Sequence, residues 1–492
     1  MKILFIVPKI KSMFGGKGMT THPHVGVAYL SAFLKQNNIQ TAIFDEGIDD
    51  DLKTLFQFIV DFKPDLIGIT IFSYCYGYAY NLIQKIKERS AIPIVAGGPH
   101  ISAVGKELFA DTKIDFAIKQ EGEFTLLELM KELDKNNPCF DGIKGLIWRG
   151  QSEIRENPDR ELIIELDKLP FPDYESFGIE GYPCYKLKML PIITSRGCPF
   201  GCNYCSVRLS MGMKFRARSA ENVVEEIKQF SSAGFNSFDI NDDCFTLDQA
   251  RAEKICDLII ESKLKIRFQL YNGIRVDTVS PGLLKKLRQA GCFFISYGCE
   301  SGNDKVLKAI KKGITLEQVK NAVEWTNDAG IPNAVNFIIG HKNETYKDAL
   351  DTIKFAGLLD TNFVNFYNLV PYPGTESFIW AKNHARFLVP VDSFLESISY
   401  RDNKPIFETD EFTDLQRREI ILQGFNLYKK KILTFRLGKV LGSLIYWITK
   451  SEKINRLASN FALSNPTGKV IYTLFSRKSL LLSEKANCKV SD

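Results

Sequence analysis

Histidine is scarce in this chain, five among 492 residues, which leaves little for chemistry that runs on proton relays. No Ser/His/Asp arrangement and no paired-carboxylate signature stands out, so a hydrolase of that kind has no foothold. No uninterrupted apolar stretch is long enough to cross a bilayer. The N-terminal run Ile3–Val7, followed by Pro8 and Lys9, is too short for a signal peptide and reads as a buried strand. Eleven cysteines without an export signal imply a reducing compartment, so a cytoplasmic location is expected, with metal or redox use in place of disulfides. Eight of them (Cys75, Cys139, Cys184, Cys244, Cys256, Cys292, Cys299 and Cys488) form no C-x-x-C pair and read as small apolar fillers. What is present is ordinary for a soluble globular protein, 45% hydrophobic and 25% charged residues. The length suggests about three domains.

The other three cysteines lie in one short run, Arg196-Gly-Cys-Pro-Phe-Gly-Cys-Asn-Tyr-Cys205. Thiolates gathered this way make a soft, multidentate site for iron or zinc. Three cannot close a four-coordinate site, and no close fourth Cys or His follows, so one metal position stays open. A structural zinc knuckle and incidental cysteines are the bland alternatives. The spacing, with Tyr204 just before the last cysteine, resembles the signature of the radical S-adenosylmethionine (SAM) enzymes. That resemblance implies that Cys198, Cys202 and Cys205 hold three irons of a [4Fe-4S] cluster. The fourth iron would then chelate the amino and carboxylate groups of SAM.

Residues 1–145 alternate strand and helix. Ile3–Val7, Thr41–Phe44, Leu66–Thr70, Ile92–Ala96 and Phe116–Ile118 are short apolar runs, separated by amphipathic segments such as Ala28–Gln36, Leu52–Phe62 and Tyr78–Glu88. The pattern predicts an α/β fold with a doubly wound parallel sheet, whose ligands sit beyond the carboxyl ends of the strands. Polar and glycine-rich turns fall at those ends: Ser73-Tyr74, Gly97-Gly-Pro-His100 and Glu121-Gly-Glu123. With the run Thr21-His-Pro-His-Val-Gly-Val-Ala-Tyr-Leu30, and placed ahead of the cysteine loop, they resemble the cobalamin-binding domain of B12-dependent radical SAM proteins. The resemblance implies cobalamin contacts at Ser73, Tyr74, Gly97, Gly98, Pro99, Glu121 and Gly122. The Asp-x-His-x-x-Gly pattern that supplies a histidine to cobalt in other B12 proteins is absent. His22 and His24 therefore read as polar loop residues, and the lower axial ligand of cobalt is left open.

Residues 146–185 read as a linker with a small hairpin, Leu146–Trp148 and Glu153–Arg155, then the stiff Asp167-Lys-Leu-Pro-Phe-Pro-Asp-Tyr174. Alternation restarts over residues 186–384, with strands at Pro191–Ser195, Ser237–Ile240, Arg267–Tyr271, Phe293–Tyr297, Ala334–Ile339 and Val364–Asn368. Six strand–helix units match the partial barrel of the radical SAM family, in which reactive groups gather at the carboxyl ends of the strands. Residues 385–492 read as basic and mostly helical. From Lys429 onward thirteen Lys/Arg face three acids, so the net charge of +6 conceals a basic tail on a mildly acidic body. Its segments Phe425–Lys439 and Val440–Ile448 mix basic and apolar residues, as membrane-interface segments do. A helical cap over the substrate cavity, lysines outward, is the alternative.

At the strand ends the resemblance implies further SAM contacts. Asp242 and Asp243 stand where the family holds the SAM amino group, in place of the usual Gly-Gly-Glu, although Asp also caps helices. Arg275 could clamp the methionine carboxylate or pair with Asp277. Glu300 and Ser301, in Glu-Ser-Gly302, would hold a ribose hydroxyl or the amine, while Ile338 and Tyr204 would meet the adenine. The implied activity is reductive cleavage of SAM at the cluster to functionalise an unactivated carbon, foremost by C-methylation with cobalamin. The alternatives are an anaerobic oxidative cyclase resembling the one acting on magnesium-porphyrin esters, and a non-enzymatic B12 sensor. Expected partners are a small-molecule substrate, a lipid or other hydrophobic one included, and an electron donor of flavodoxin or ferredoxin type. No nucleic acid is expected, and the basic C-terminus suggests peripheral membrane contact.

Overall fold

The computed structural model describes residues 1–9, 22–391, 393–397 and 403–450. Thr21, and the part of the basic tail beyond Lys450, lie outside the described residues. Residues 1–424 form one unit and residues 425–492 a second.

The first unit opens with a seven-stranded sheet. β1 (Lys2–Val7), β2 (Gln40–Asp45), β3 (Leu66–Thr70), β4 (Ile94–Gly97) and β5 (Phe116–Ile118) run parallel in the order β2-β1-β3-β4-β5. Ile3 to Val7 are all buried, at most 4% exposed, because helices cover both faces and every side chain meets apolar partners. Chain order reverses between β1 and β3, the crevice where ligands bind in such sheets. The expected hairpin forms, and the correction is that it belongs to this sheet and not to a linker. β6 (Leu146–Arg149) and β7 (Ile154–Glu156) extend this same sheet antiparallel from β5, so Leu146 and Ile147 are core residues.

A second sheet contains β8 (Met189–Ile192), β11 (Ser237–Ile240), β12 (Arg267–Ile274), β13 (Cys292–Glu300), β14 (Asn333–Ile339) and β15 (Phe363–Asn368), all parallel in that order. Between β8 and β11, the short β9 (Ser195–Arg196) and β10 (Arg216–Ala217) pair antiparallel. Helices Ala220–Ser232, Gln249–Glu261, Pro281–Gln289, Leu316–Asp328 and Tyr346–Leu358 connect the six strands. Each begins at a capping side chain that accepts from a first-turn N–H, such as Ser219, Asp248, Ser280 and Thr345. The expected partial barrel is therefore present, as is the doubly wound N-terminal sheet.

The second unit is helical over its described residues. It holds the end of helix Asp414–Leu437 and the helix Lys439–Lys450. Gly438, at φ +81°, makes the turn between them.

Candidate active site

The cysteine loop hangs between β9 and β10. Gly197, at φ +83°, begins it, and a Cβ there would lie 2.4 Å from the Lys214 carbonyl oxygen. Only glycine fits such a position. The loop is pinned from below, since Asn203 donates through its backbone N–H to Ile310 O (3.2 Å) and through Nδ2 to Ala309 O (3.1 Å). Cys202 is buried, while Cys198 and Cys205 keep partial exposure. Among the described residues no three His, Cys, Asp or Glu side chains converge on one point. A cubane takes one thiolate per iron, so its cysteines must line a rim, and a soft three-sulfur set on a rigid loop suits that need.

A fourth thiol stands beside them. The Cys244 Sγ lies 3.4 Å from Cys198 Sγ, whereas the sequence reading grouped Cys244 with the inert fillers. Its signal was its address, directly after Asp242-Asp243 at a barrel strand end.

The two acids divide their work. Asp242 accepts from Thr194 N (2.6 Å), Thr194 Oγ1 (2.5 Å) and Ser195 Oγ (2.6 Å). Its oxygens are thus engaged in tying the end of β8 to β11, which corrects its expected role at the SAM amine. Among the described residues, Asp243 accepts only from Gly197 N (3.1 Å), the residue before Cys198. Burial pushes its carboxyl up to about 6. Asp242→Asn should therefore lower the melting temperature, losing charge-assisted bonds of about 1.5–3 kcal/mol each. Asp243→Asn should leave melting nearly unchanged and weaken SAM binding. Thermal melts alongside equilibrium dialysis with SAM separate the two, and equal melting losses would refute the division.

On β13 the ladder slips between Gly298 and Glu300, and Glu300 takes φ +73°. Such a bulge re-aims a side chain, and here it turns Glu300 toward Lys312, with Oε1 2.8 Å from Nζ. A Cβ on Gly298 would come within 2.6 Å of that same Oε1, so the glycine makes room for the pair. Lys312 Nζ also lies 3.4 Å from the Tyr204 hydroxyl. Sequence reasoning missed Lys312, which looked like one more solvated lysine in Lys311-Lys312-Gly313. Tyr204 and Ile338 pack on one apolar cluster with Leu369 and Trp380. Ser301 is a correction, because its hydroxyl contacts Thr352 Oγ1 (3.2 Å) and accepts from Asn303 N (3.2 Å), making it a structural residue. Arg275 realises the ion pair with Asp277 (Nε–Oδ1 2.9 Å, Nη2–Oδ2 2.8 Å). The pair is largely buried rather than at the surface, and its guanidinium stacks 3.5 Å from the Phe200 ring centre, bracing the cysteine loop.

Ser73, Tyr74, Gly97, Gly98, Pro99, Glu121 and Gly122 all fall at the carboxyl ends of β3, β4 and β5. Gly97 faces open space, with nothing within 4 Å of a built Cβ, while Gly98, at φ +103°, lets the turn pass over Ile71. That open glycine edge suits the close approach of a large ring. Ser73 contacts His100 Nδ1 (3.2 Å), and Tyr74 stacks on Phe72. His24 Nδ1 accepts from Val27 N (3.1 Å) as the cap of helix Val25–Gln36, and burial lowers its pKa to about 4.

Glu121 serves a purpose the sequence did not suggest. Its carboxylate takes Arg196 Nη1 (2.7 Å), Arg216 Nη1 (2.7 and 2.8 Å) and Ile163 N (2.8 Å), while Glu123 takes Arg196 Nη2 (2.7 Å). All four side chains are buried. These bonds bolt the cobalamin-type sheet edge to the two strands flanking the cysteine loop, so Glu121 is not left for a ligand. Glu121→Gln should cost about 3–5 kcal/mol, the penalty for leaving buried charge uncompensated. Limited proteolysis should then cut within 157–185 far faster, and an unchanged digestion rate would refute the clamp.

A cluster-type cysteine loop on a six-stranded barrel, bolted to a glycine-edged doubly wound domain, defines an iron–sulfur enzyme with a built-in second cofactor domain. The radical SAM superfamily model matches residues 192–356, and the B12 binding domain model matches residues 8–130. An uncharacterised methyltransferase of Pyrococcus horikoshii is 31% identical over 430 residues, covering 86% of this chain and 92% of the relative. The anaerobic magnesium-protoporphyrin IX monomethyl ester cyclase of Rubrivivax gelatinosus is 28% identical, covering 77% of this chain and 69% of its own. In fold, the chain is similar to the cobalamin-dependent SAM radical enzyme OxsB (TM-score 0.70, 18% identity, 99% of this chain and 75% of that one). The chain belongs to the cobalamin-dependent radical SAM enzymes, in the group that includes methyltransferases and ring cyclases.

Proposed function

We propose that this enzyme methylates an unactivated carbon of a small molecule held between its two cofactor domains. When bound, the cluster with SAM supplies homolytic bond cleavage, and cobalamin supplies the methyl group. Everything else is the chain's task. Cys198, Cys202 and Cys205 would hold the iron, Asp243 the SAM amino group, and Glu300, kept in place by Lys312, a ribose hydroxyl or the amine. Tyr204 and Ile338 would cover the adenine and exclude water. The observation that carries this reading is the buried Glu121–Arg196–Arg216 clamp, because methyl delivery needs the two domains at constant separation.

The test is anaerobic reconstitution with iron, sulfide and cobalamin, then methyl-labelled SAM and a cell extract. Label covalently joined to carbon in a product supports methylation. Consumption of SAM with an oxidised, unlabelled product would favour the cyclase reading, for which the Rubrivivax relative is the argument. A donor of flavodoxin or ferredoxin type would supply the electron. Peripheral membrane contact is the finer reading of the C-terminus, supported by helix Lys439–Lys450. It exposes Val440, Leu441, Leu444 and Trp447, spaced to share one face. Among the described residues no helix is long and apolar enough to cross a membrane. Sedimentation with anionic liposomes should fall severalfold in the Leu444→Ser/Trp447→Ser variant, and unchanged recovery would remove the idea.

A further inference from the structure

The barrel strands alternate where the N-terminal strands do not. Phe238 and Ile240 on β11, Phe268 and Leu270 on β12, Ile295 and Tyr297 on β13, and Val335 and Phe337 on β14 are buried and mostly apolar. Tyr297 contacts Thr326 of helix Leu316–Asp328 (2.7 Å), which marks that face as the helix side. The opposite, concave face carries Gly298 and the Glu300–Lys312 pair. On it stand Asp239, Gln269, Ser296, Asn336 and Asn365, one polar side chain from each of β11 to β15. Asp239 is in register with Gln269, and Asn336 with Asn365. Asn365 Nδ2 donates to Asn336 Oδ1 (2.9 Å), and Asn336 Nδ2 donates to Ser296 Oγ (2.8 Å).

The belt is left incomplete at one end. Asp239 is 8% exposed, and among the described residues its Oδ1 has no hydrogen-bond partner. Two residues earlier on the same face, the fully buried Ser237 Oγ has none either. Burial pushes the Asp239 carboxyl up, and the Gln269 side chain and Tyr271 backbone support its charged form. Buried polar atoms in native structures find partners, and a buried carboxylate is costly unless a cation answers it. Amides and a carboxylate are also the wrong lining for an acyl chain, whose burial would leave Asp239 Oδ1 and Ser237 Oγ without partners. Tyr271 and Phe294, 5.8 Å apart between ring centres, give the same face an aromatic wall beside the acid. Aromatic faces favour cations.

We propose that the methyl acceptor is a polar amine. Its ammonium group docks on Asp239, and its hydroxyl or amide groups bond to Gln269, Asn336 and Asn365. This deepens the methyltransferase reading and rests on the barrel being the substrate chamber. It also sets the hydrophobic-substrate expectation aside in favour of a water-soluble one.

The reconstituted full-length enzyme, its Asp239→Asn variant and its Asn365→Ala variant are each incubated with methyl-labelled SAM and a cell extract. Products are then divided into an organic phase, a cation-exchange-retained fraction and a flow-through. Once unspent SAM and the methionine released from it are separated by chromatography, the proposal expects the remaining label in the retained fraction, on material that reacts with an amine-selective reagent. It expects Asp239→Asn to cut that label at least about thirtyfold, as losing one half of a buried charge pair does, and Asn365→Ala to cut it less. Iron content and the visible absorption of the bound cluster and cobalamin should match the wild-type chain in both variants, which shows that they are folded and loaded. Label in the organic phase or the flow-through, or wild-type transfer by Asp239→Asn, overturns the amine assignment while leaving methylation standing. No SAM consumption by the wild-type enzyme overturns the methyltransferase reading itself, and this proposal with it.

Discussion

Cys202→Ala should reduce deoxyadenosine formation to the no-enzyme background and leave the reconstituted chain short of iron. Cys202 is the buried member of the trio, and its thiol points at the Lys311 carbonyl (Sγ to O 3.8 Å) on the segment that also presents Lys312. The extra thiol of Cys244 sits against Cys198 instead. With one thiolate gone, one iron loses its only protein ligand. Iron analysis and the visible absorption of the cluster check the first half, and SAM turnover under strong reductant checks the second. Cys256→Ala is the control. That thiol is buried in helix Gln249–Glu261, so the variant should lose some stability but keep its iron. Full iron and activity in Cys202→Ala would remove the proposed catalyst.

Lys312→Met should be the most damaging single change outside the cysteines. It deletes the cation that answers the buried Glu300 carboxylate at 2.8 Å, and breaking such a pair from one side costs about 3–5 kcal/mol. The loss of melting temperature should be accompanied by loss of SAM affinity, because Glu300, without its partner, would swing out of position. Adding Glu300→Gln to Lys312→Met should recover most of the stability, since the stranded charge is gone, without recovering SAM binding. Calorimetry and SAM titration of the four chains in this cycle give the coupling. If the double variant bound SAM normally, the pair would be a structural device and nothing more.

The contrast between Asp242 and Glu300 shows where the sequence could be read and where it could not. Both are acids at barrel strand ends, and the family resemblance implies a place at the site for both. Whether an acid there serves a ligand or the fold depends on which N–H and O–H groups the neighbouring strand brings to it, and Thr194 and Ser195 reach Asp242 across 47 or 48 residues of chain. Glu121 and Arg196 meet across 75 residues, a pairing no local window contains. The bulge at Gly298–Glu300 was equally hidden. The expected strand ended at Tyr297, whereas β13 continues to Glu300 because a left-handed residue carries it past the slip. Cys244, read as a filler, and Lys312, which no motif singles out, escape notice for the same reason, as their types are common and only their neighbours are unusual.

Chain order and side-chain chemistry alone determined the parts: the apolar runs that become β1, β3, β5 and β11, the caps that start the connecting helices, and three thiols too close together to be ordinary core. Those rest on interactions within a few residues, so they survive without knowledge of the rest. Only the tertiary structure decided which acids are consumed by the fold, how one domain is bolted to the other, and which face of the barrel strands is polar. Each of those depends on groups far apart in the chain meeting where water is excluded, and in that setting a missing partner costs more than any local propensity contributes.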